Sequence, residues 1–482
     1  MISKHAIAYL FSHGVPALVS FISIAVFTRL LTPEQYGIYV LVFAVAAMLN
    51  SIVFEWLKQG LLRYYPKLGE QPSFIHTLKV SFIACIFLTA AIGSVVYLLV
   101  EDIDLLYLIL CLVLAWSQSW NGMNLTLMRA KLQPLSYGYL AFSRAILTLG
   151  ISLVLITVAG LGETGLLLGW IIALIITTLY PTMVHWRGNK ASDDSFNPDY
   201  FKKIFSYGFP LTITFLMAII IHNSDRLMIQ FFMGEAATGV YSATYDLTEQ
   251  TIYTIMMIIN LAAFPIVIKT MEQEGESKAF HQIKKNTSLV LMVAFPAVAG
   301  FILLSEHIVA FLLGADFRKE ALMLIPFIAI GAFLKGFKIY CVDIVLQVKQ
   351  RTKIQIIPVA VGAVSNIVFN FWLIPQFGLL GAAYSSIIAY ILAVATSWVL
   401  VSIYISALPF PWRDFYKITL ATLAMIAVIW PLSSTVGLIP LIVLSVLGAL
   451  IYVFILYLLN GLDIRNWVKK RRKQFINKEL SK

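Results

Sequence analysis

Residues 207–250 read YGFPLTITFLMAIIIHNSDRLMIQFFMGEAATGVYSATYDLTEQ. Two apolar helices are broken by a turn at Gly234, and His222, Asp225, Arg226, Asp246 and Glu249 lie inside or beside the apolar runs. The stretch echoes the start of the chain. HGVP at 13–16 answers YGFP at 207–210, TRL at 28–30 answers DRL at 225–227, and LTPEQYGIY at 31–39 answers MGEAATGVY at 233–241, with gaps between the anchors. Internal repetition of this kind is the mark of membrane proteins assembled from two helical bundles around a central site.

The composition agrees with a membrane setting. Of 482 residues, 60% are hydrophobic and only 12% charged, with mean hydropathy +0.87, whereas soluble domains carry roughly a quarter charged residues. The net charge of +11 falls between apolar segments and in the tail, so it points to topology and not to nucleic acid. Cys85, Cys111 and Cys341 all sit in apolar runs and read as small apolar residues, not a disulfide framework. No cleavable signal is evident in the first apolar run.

Apolar segments of about 20 residues, enough to cross the bilayer core, fall near 8–31, 37–62, 79–100, 105–128, 136–159 and 165–186. After a polar linker from Arg187 to Lys203, six more follow near 208–233, 239–268, 288–313, 322–347, 354–375 and 379–406. Two further segments lie near 416–434 and 438–459, before a basic tail. The expected fold is therefore an all-α polytopic membrane protein with fourteen spans, grouped six, six and two. The corresponding divisions are 1–203, 204–408 and 409–482. An even number of spans per unit makes the two repeats parallel. Their second halves also match, Gly162-Glu-Thr-Gly165 answering Gly378-Leu-Leu-Gly381. Placing both termini in the cytoplasm puts Arg63, Lys67, Lys79, Arg129, Lys131, Lys349, Arg351, Lys353 and the tail cations inside. The outer turns keep Arg318, Lys319 and the acidic Glu101–Asp104, as the positive-inside rule requires.

A charge at mid-bilayer costs at least ~2.5–3.5 kcal/mol, so each must face a partner or water. Lys335 and Lys338 fall near the middle of the tenth span and, three apart, share a helix face. Asp343 is badly placed on the same helix to neutralise Lys338, so the lysines either take an anionic ligand such as a phosphate or pair with acids elsewhere, such as Asp246 or Glu249. Glu55 and Lys58 are spaced to pair along their own helix. Arg144 lies too deep to reach the interface and is expected to face a cavity. Arg29 and Arg226 lie towards the outer ends of the first and seventh spans. His222 is spaced to touch Asp225 or Arg226, which are poor partners for each other. Asp246, Glu249 and Tyr253 line one helix face, suited to binding Na⁺ or H⁺ or to neutralising the lysines.

Several chemistries are missing. The sequence has no P-loop, no HExxH, no Cys/His metal cluster and no Gly-x-Ser-x-Gly elbow. Asp102-Ile-Asp104 reads as an acidic outer turn, every outer connection is short, and neither an enzyme nor a cofactor or metal site is expected. The run Lys469–Lys473 reads as an anchor near anionic lipids.

Three stretches carry a family resemblance: FTRLLTPEQYGIYVL at 27–41, NSDRLMIQFFMGEAATGVYSA at 223–243 and NFWLIPQFGLLGAAYSS at 370–386. With the six-six-two arrangement they resemble the polysaccharide (O-antigen) flippases of the multidrug/oligosaccharidyl-lipid/polysaccharide exporter superfamily. The resemblance implies two six-helix lobes in a V around a cationic cavity that opens alternately to either side of the inner membrane. The implied cargo is an undecaprenyl-diphosphate-linked oligosaccharide for lipopolysaccharide or other surface polysaccharide, with polymerase and assembly proteins as partners beside the membrane lipids. On that reading Arg29, Arg144, Arg226, Lys335 and Lys338 attract the diphosphate. Asp225, Asp246, Glu249 and His222 balance charge or carry a coupling H⁺ or Na⁺. A lipid II flippase and an ion-coupled drug antiporter of the same superfamily are the alternatives. The antiporter is disfavoured by its usual twelve spans and acid-dominated cavity.

Overall fold

The computed structural model describes residues 18–69, 71–101, 104–186, 195–405 and 408–461, the side chains of residues 213, 214, 218, 221 and 222 excepted. The HGVP anchor, the centre of the Asp102–Asp104 turn, linker residues 187–194, the basic tail and the His222 side chain lie outside them.

All regular structure among the described residues is helical. The helices run α1 Leu18–Leu30, α2 Pro33–Leu68, α3 Pro72–Leu99, α4 Leu105–Ala130, α5 Pro134–Thr157, α6 Gly162–His185 and α7 Pro198–Met233. They continue with α8 Glu235–Glu274, α9 Glu276–Leu303, a short helix Ser305–Leu312, α10 Ala315–Val348, α11 Ile356–Phe377, α12 Leu379–Tyr404, α13 Trp412–Ile429 and α14 Leu438–Leu458. Among the described residues 12 helices are long and apolar enough to cross a membrane. Many of their large apolar side chains point outward, among them Phe87, Leu98, Ile439 and Leu450, as lipid-facing helices require. The chain is a multi-pass membrane protein.

Contacts divide it into two compact units, Met1–Ala243 with Asn366–Ala382, and Thr244–Ser365 with Ala383–Lys482. The first unit holds both echoing turns. Thr32 caps α2: its hydroxyl accepts from the Gln35 backbone N–H at 3.3 Å, while the Gln35 side chain accepts from the Thr32 N–H at 3.2 Å, and Pro33 opens the helix. At the other turn Gly234, with φ +83°, ends α7 before Glu235 begins α8. The two turns press together backbone to backbone. A Cβ on Gly37 would sit 1.9 Å from the Glu235 carbonyl oxygen, and one on Gly239 would sit 2.0 Å from that of Pro33. The sequence echo is thus a pair of matched surfaces. Gly37→Val and Gly239→Val are each expected to cost about 1–3 kcal/mol through overpacking, read as a lower melting temperature in detergent.

The second echo is a pair of hairpins built alike. Gly162 and Gly378 both adopt left-handed φ, +51° and +58°, a conformation that costs other residues about 1–2 kcal/mol. Three residues on, Gly165 and Gly381 lie against the backbone of the preceding helix, around Leu155 and Leu373.

The first unit's core gathers Phe54, Leu57, Leu61, Phe74, Leu78, Met123 and Trp186. Its tryptophans are satisfied in the apolar interior: Trp186 donates to Asn124 Oδ1 at 3.0 Å and Trp120 to Thr182 Oγ1 at 2.8 Å. In the second unit Phe410 packs against Phe337, Trp398, Trp412 and Phe415. Cys85, Cys111 and Cys341 are buried and free. Two π-helical segments interrupt the α-helices, Asn50–Phe54 in α2 and Lys338–Val342 in α10.

Candidate functional site

The π segment in α10 corrects the expectation for the tenth span. In an α-helix, residues five apart sit about 140° from each other and do not meet. A π turn closes through i→i+5 hydrogen bonds, and here the Asp343 N–H donates to the Lys338 carbonyl. That winding swings the Asp343 carboxylate onto the Lys338 ammonium at 2.6 Å, with both residues buried. Ser397 of α12 donates a hydrogen bond to the same carboxylate. Lys338 therefore has a counter-ion on its own helix.

Lys335 has one on another helix. It pairs with Glu249 of α8, and its ammonium lies 5.1 Å from the centre of the Tyr253 ring. Of the two alternatives for these lysines, pairing across helices is the one seen for Lys335. The side chain of Lys335 retains 21% exposure against 7% for Lys338, so it is the more accessible of the two. Asp246, one turn before Glu249, is half-buried. In α2 the expected pair is present, Lys58 to Glu55 at 2.5 Å, and Lys58 also reaches back to Asn50 Oδ1 at 3.1 Å across the other π segment.

The remaining predicted residues belong to the first unit. Arg29 is exposed at the end of α1. Arg144, half-buried in α5, lies with its guanidinium 5.9 Å from the centre of the Trp170 ring, an arrangement of the cation–π type. Its Nε is buried without a hydrogen-bond partner, and no carboxylate among the described residues forms an ion pair with it. Asp225 and Arg226 are 2% and 6% exposed. The Asp225 carboxylate accepts from the Tyr241 hydroxyl at 2.9 Å and from the side-chain amides of Asn366 at 2.9 Å and Asn370 at 2.6 Å. Ser224 donates to Asn366 Oδ1 at 2.6 Å, and Asn370 Oδ1 is a buried acceptor with no partner. Sequence reading missed Asn366 and Asn370. Their signal was present as two amides four apart, hence on one helix face, in an otherwise apolar span.

The second unit also holds an apolar groove of about 610 Å³ between α9, α13 and α14, lined by Met292, Pro296, Met425, Leu444 and Val453 among others.

Residues 26–322 match a family described as polysaccharide biosynthesis protein. The chain belongs to that family. This bears out the resemblance, of whose three stretches 27–41 and 223–243 lie within the match, and two relatives align along most of the chain. It is 23% identical to the "Putative O-antigen transporter" of Shigella flexneri over 82% of this chain and 97% of that protein. It is 22% identical to the "Probable low-salt glycan biosynthesis flippase" of Haloferax volcanii over 93% of each. The structure of a lipid II flippase in an inward closed conformation superposes with a TM-score of 0.77 at 16% identity, covering 96% of this chain and 100% of that one. At that identity the likeness shows the fold alone.

Proposed function

We propose that this protein is a flippase that moves an undecaprenyl-diphosphate-linked oligosaccharide repeat unit from the inner to the outer leaflet of the cell inner membrane, for surface polysaccharide assembly. The family match over 26–322 carries the reading, and the transporter and flippase names of the two aligned relatives support it. The helices α1 and α7, added to the twelve candidate spans, fit the fourteen-span plan with both termini cytoplasmic. Residues 1–203 and 204–408 then serve as lobes that rock between inward and outward openings, and 409–482 supplies the last two spans and the tail.

A diphosphate is attracted by cations, most strongly by one with no carboxylate already beside it. Arg144 is the foremost candidate, a poorly solvated guanidinium beside a ring and with no carboxylate pair among the described residues. Lys335 comes next, because it is more accessible than Lys338 and a phosphate can replace Glu249 as its partner. Arg29, Arg226 and Lys338 complete the set, Lys338 last because its buried pair with Asp343 would have to open first. Asp225, Asp246 and Glu249, with His222, balance the charge or carry the coupling H⁺ or Na⁺. The apolar groove between α9, α13 and α14 suits an isoprenoid chain. No reaction is assigned to the protein, and polymerase or assembly proteins are its proposed partners.

A second reading, a flippase for the peptidoglycan precursor lipid II, is favoured by the fold likeness at a TM-score of 0.77. Melting the purified protein with each lipid separates the two. A ligand at a hundredfold over its Kd adds about 2.7 kcal/mol of stability. An undecaprenyl-diphosphate oligosaccharide is expected to raise the melting temperature and lipid II to leave it unchanged. The reverse pattern selects the second reading.

A further inference from the structure

A second groove, of about 640 Å³, opens on the first unit between α5 and α6. Its wall is apolar along Leu140, Leu147 and Ile176, while its rim carries Tyr139, Tyr180 and His185. Tyr139 and Tyr180 are 75% and 73% exposed, so the groove faces the surroundings of the helix bundle. Its volume lies within the range of pockets that bury most of a small ligand.

Within the helices α4, α5 and α6 the charge at this end is one-sided. Lys131, just past the end of α4, donates from its ammonium to His185 Nδ1 at 3.2 Å and lies 5.8 Å from the Tyr65 ring centre. With Nδ1 accepting, the His185 ring carries its proton on Nε2 and remains a donor. Arg129, exposed in the last turn of α4, adds a further cation. The helices α4, α5 and α6 contain one carboxylate among them, Glu163, and it sits at the opposite end of α6. Partial burial pushes the Lys131 pKa below its ordinary value, because lost hydration disfavours the ammonium.

We propose that this groove is a binding site for a membrane phospholipid with an anionic headgroup. The phosphate sits against Lys131 and His185, and one acyl chain lies along Leu140, Leu147 and Ile176. Basic pockets between spans take anionic headgroups in this way, and tyrosines at the rim suit the membrane interface. None of the charges proposed to take the cargo lines this groove, although Arg144 follows its lining residue Ser143 on α5. Lys131→Ala, thirteen residues from Arg144, tests the groove apart from them.

The experiment is native mass spectrometry of the full-length protein in detergent, titrated with phosphatidylglycerol and, separately, with phosphatidylcholine. Wild type is expected to retain phosphatidylglycerol at least about tenfold more strongly, the scale of one charge-assisted contact to phosphate. Lys131→Ala and the groove-filling Leu147→Trp should each abolish the preference, whereas Lys131→Arg should keep it and shows that the site tolerates substitution. Glycerol phosphate, which has the headgroup charge without the chains, should not compete. Equal retention of the two lipids by wild type, or undiminished phosphatidylglycerol binding in Lys131→Ala, overturns the proposal. So does full competition by glycerol phosphate, which assigns the cations to a soluble anion.

Discussion

Lys338→Met is expected to destabilise the protein by about 3–5 kcal/mol, the usual loss when one member of a buried ion pair is removed. The cause is Asp343. The residue is 4% exposed, and its carboxylate would keep Ser397 as a donor but lose the ammonium 2.6 Å away. Taking both charges out restores what taking one removes. Lys338→Met/Asp343→Leu should melt within a few degrees of wild type, because apolar replacement of a whole buried pair is often neutral or stabilising. Size-exclusion recovery after heating in detergent reads both variants. Equal losses in the single and the double variant would show that the pair contributes little and that packing around the π segment dominates.

Arg144→Met should behave in the opposite way. No carboxylate among the described residues is left exposed to a loss by this change, and a poorly solvated charge is relieved, so the melting temperature should hold or rise. Transport should fall at least about tenfold, since losing one charged contact to a desolvated phosphate costs about 2–5 kcal/mol and each 1.4 kcal/mol is a factor of ten. Arg144→Lys retains the charge but loses the planar fork beside the Trp170 ring, and is expected to fall between the two. A variant with unchanged transport would remove Arg144 from the cargo set. One that loses both transport and stability would make it structural. The contrast between Lys338 and Arg144 separates a charge that holds the fold from one that is available to a ligand.

Much of the fold was legible in the sequence because lipid simplifies the reading. Twelve of the apolar runs correspond to helices long and apolar enough to cross a membrane among the described residues, and the echoes at 31–39 with 233–241 and at 162–165 with 378–381 mark glycines that backbone geometry requires. The polar pairings were less legible. Reading α10 at 3.6 residues per turn made Asp343 unreachable, and only the extra residue of the π turn brings it to Lys338. Glu249 reaches Lys335 from sequence 86 residues away, so no spacing rule selects it over Asp246. The Asp225 cluster draws Tyr241 from the next helix and Asn366 and Asn370 from α11. Neutral donors of this kind carry no charge signal along the chain.

The proposed activity turns a diphosphate-linked oligosaccharide across a bilayer. The direct measurement reconstitutes it in liposomes with such a lipid and exposes the outside to a sugar-modifying enzyme that cannot enter. Flipping predicts that nearly all of the lipid becomes modified in proteoliposomes, while protein-free vesicles keep their inner-leaflet fraction protected. Equal protection in the two preparations, with the protein folded and inserted, would contradict the account.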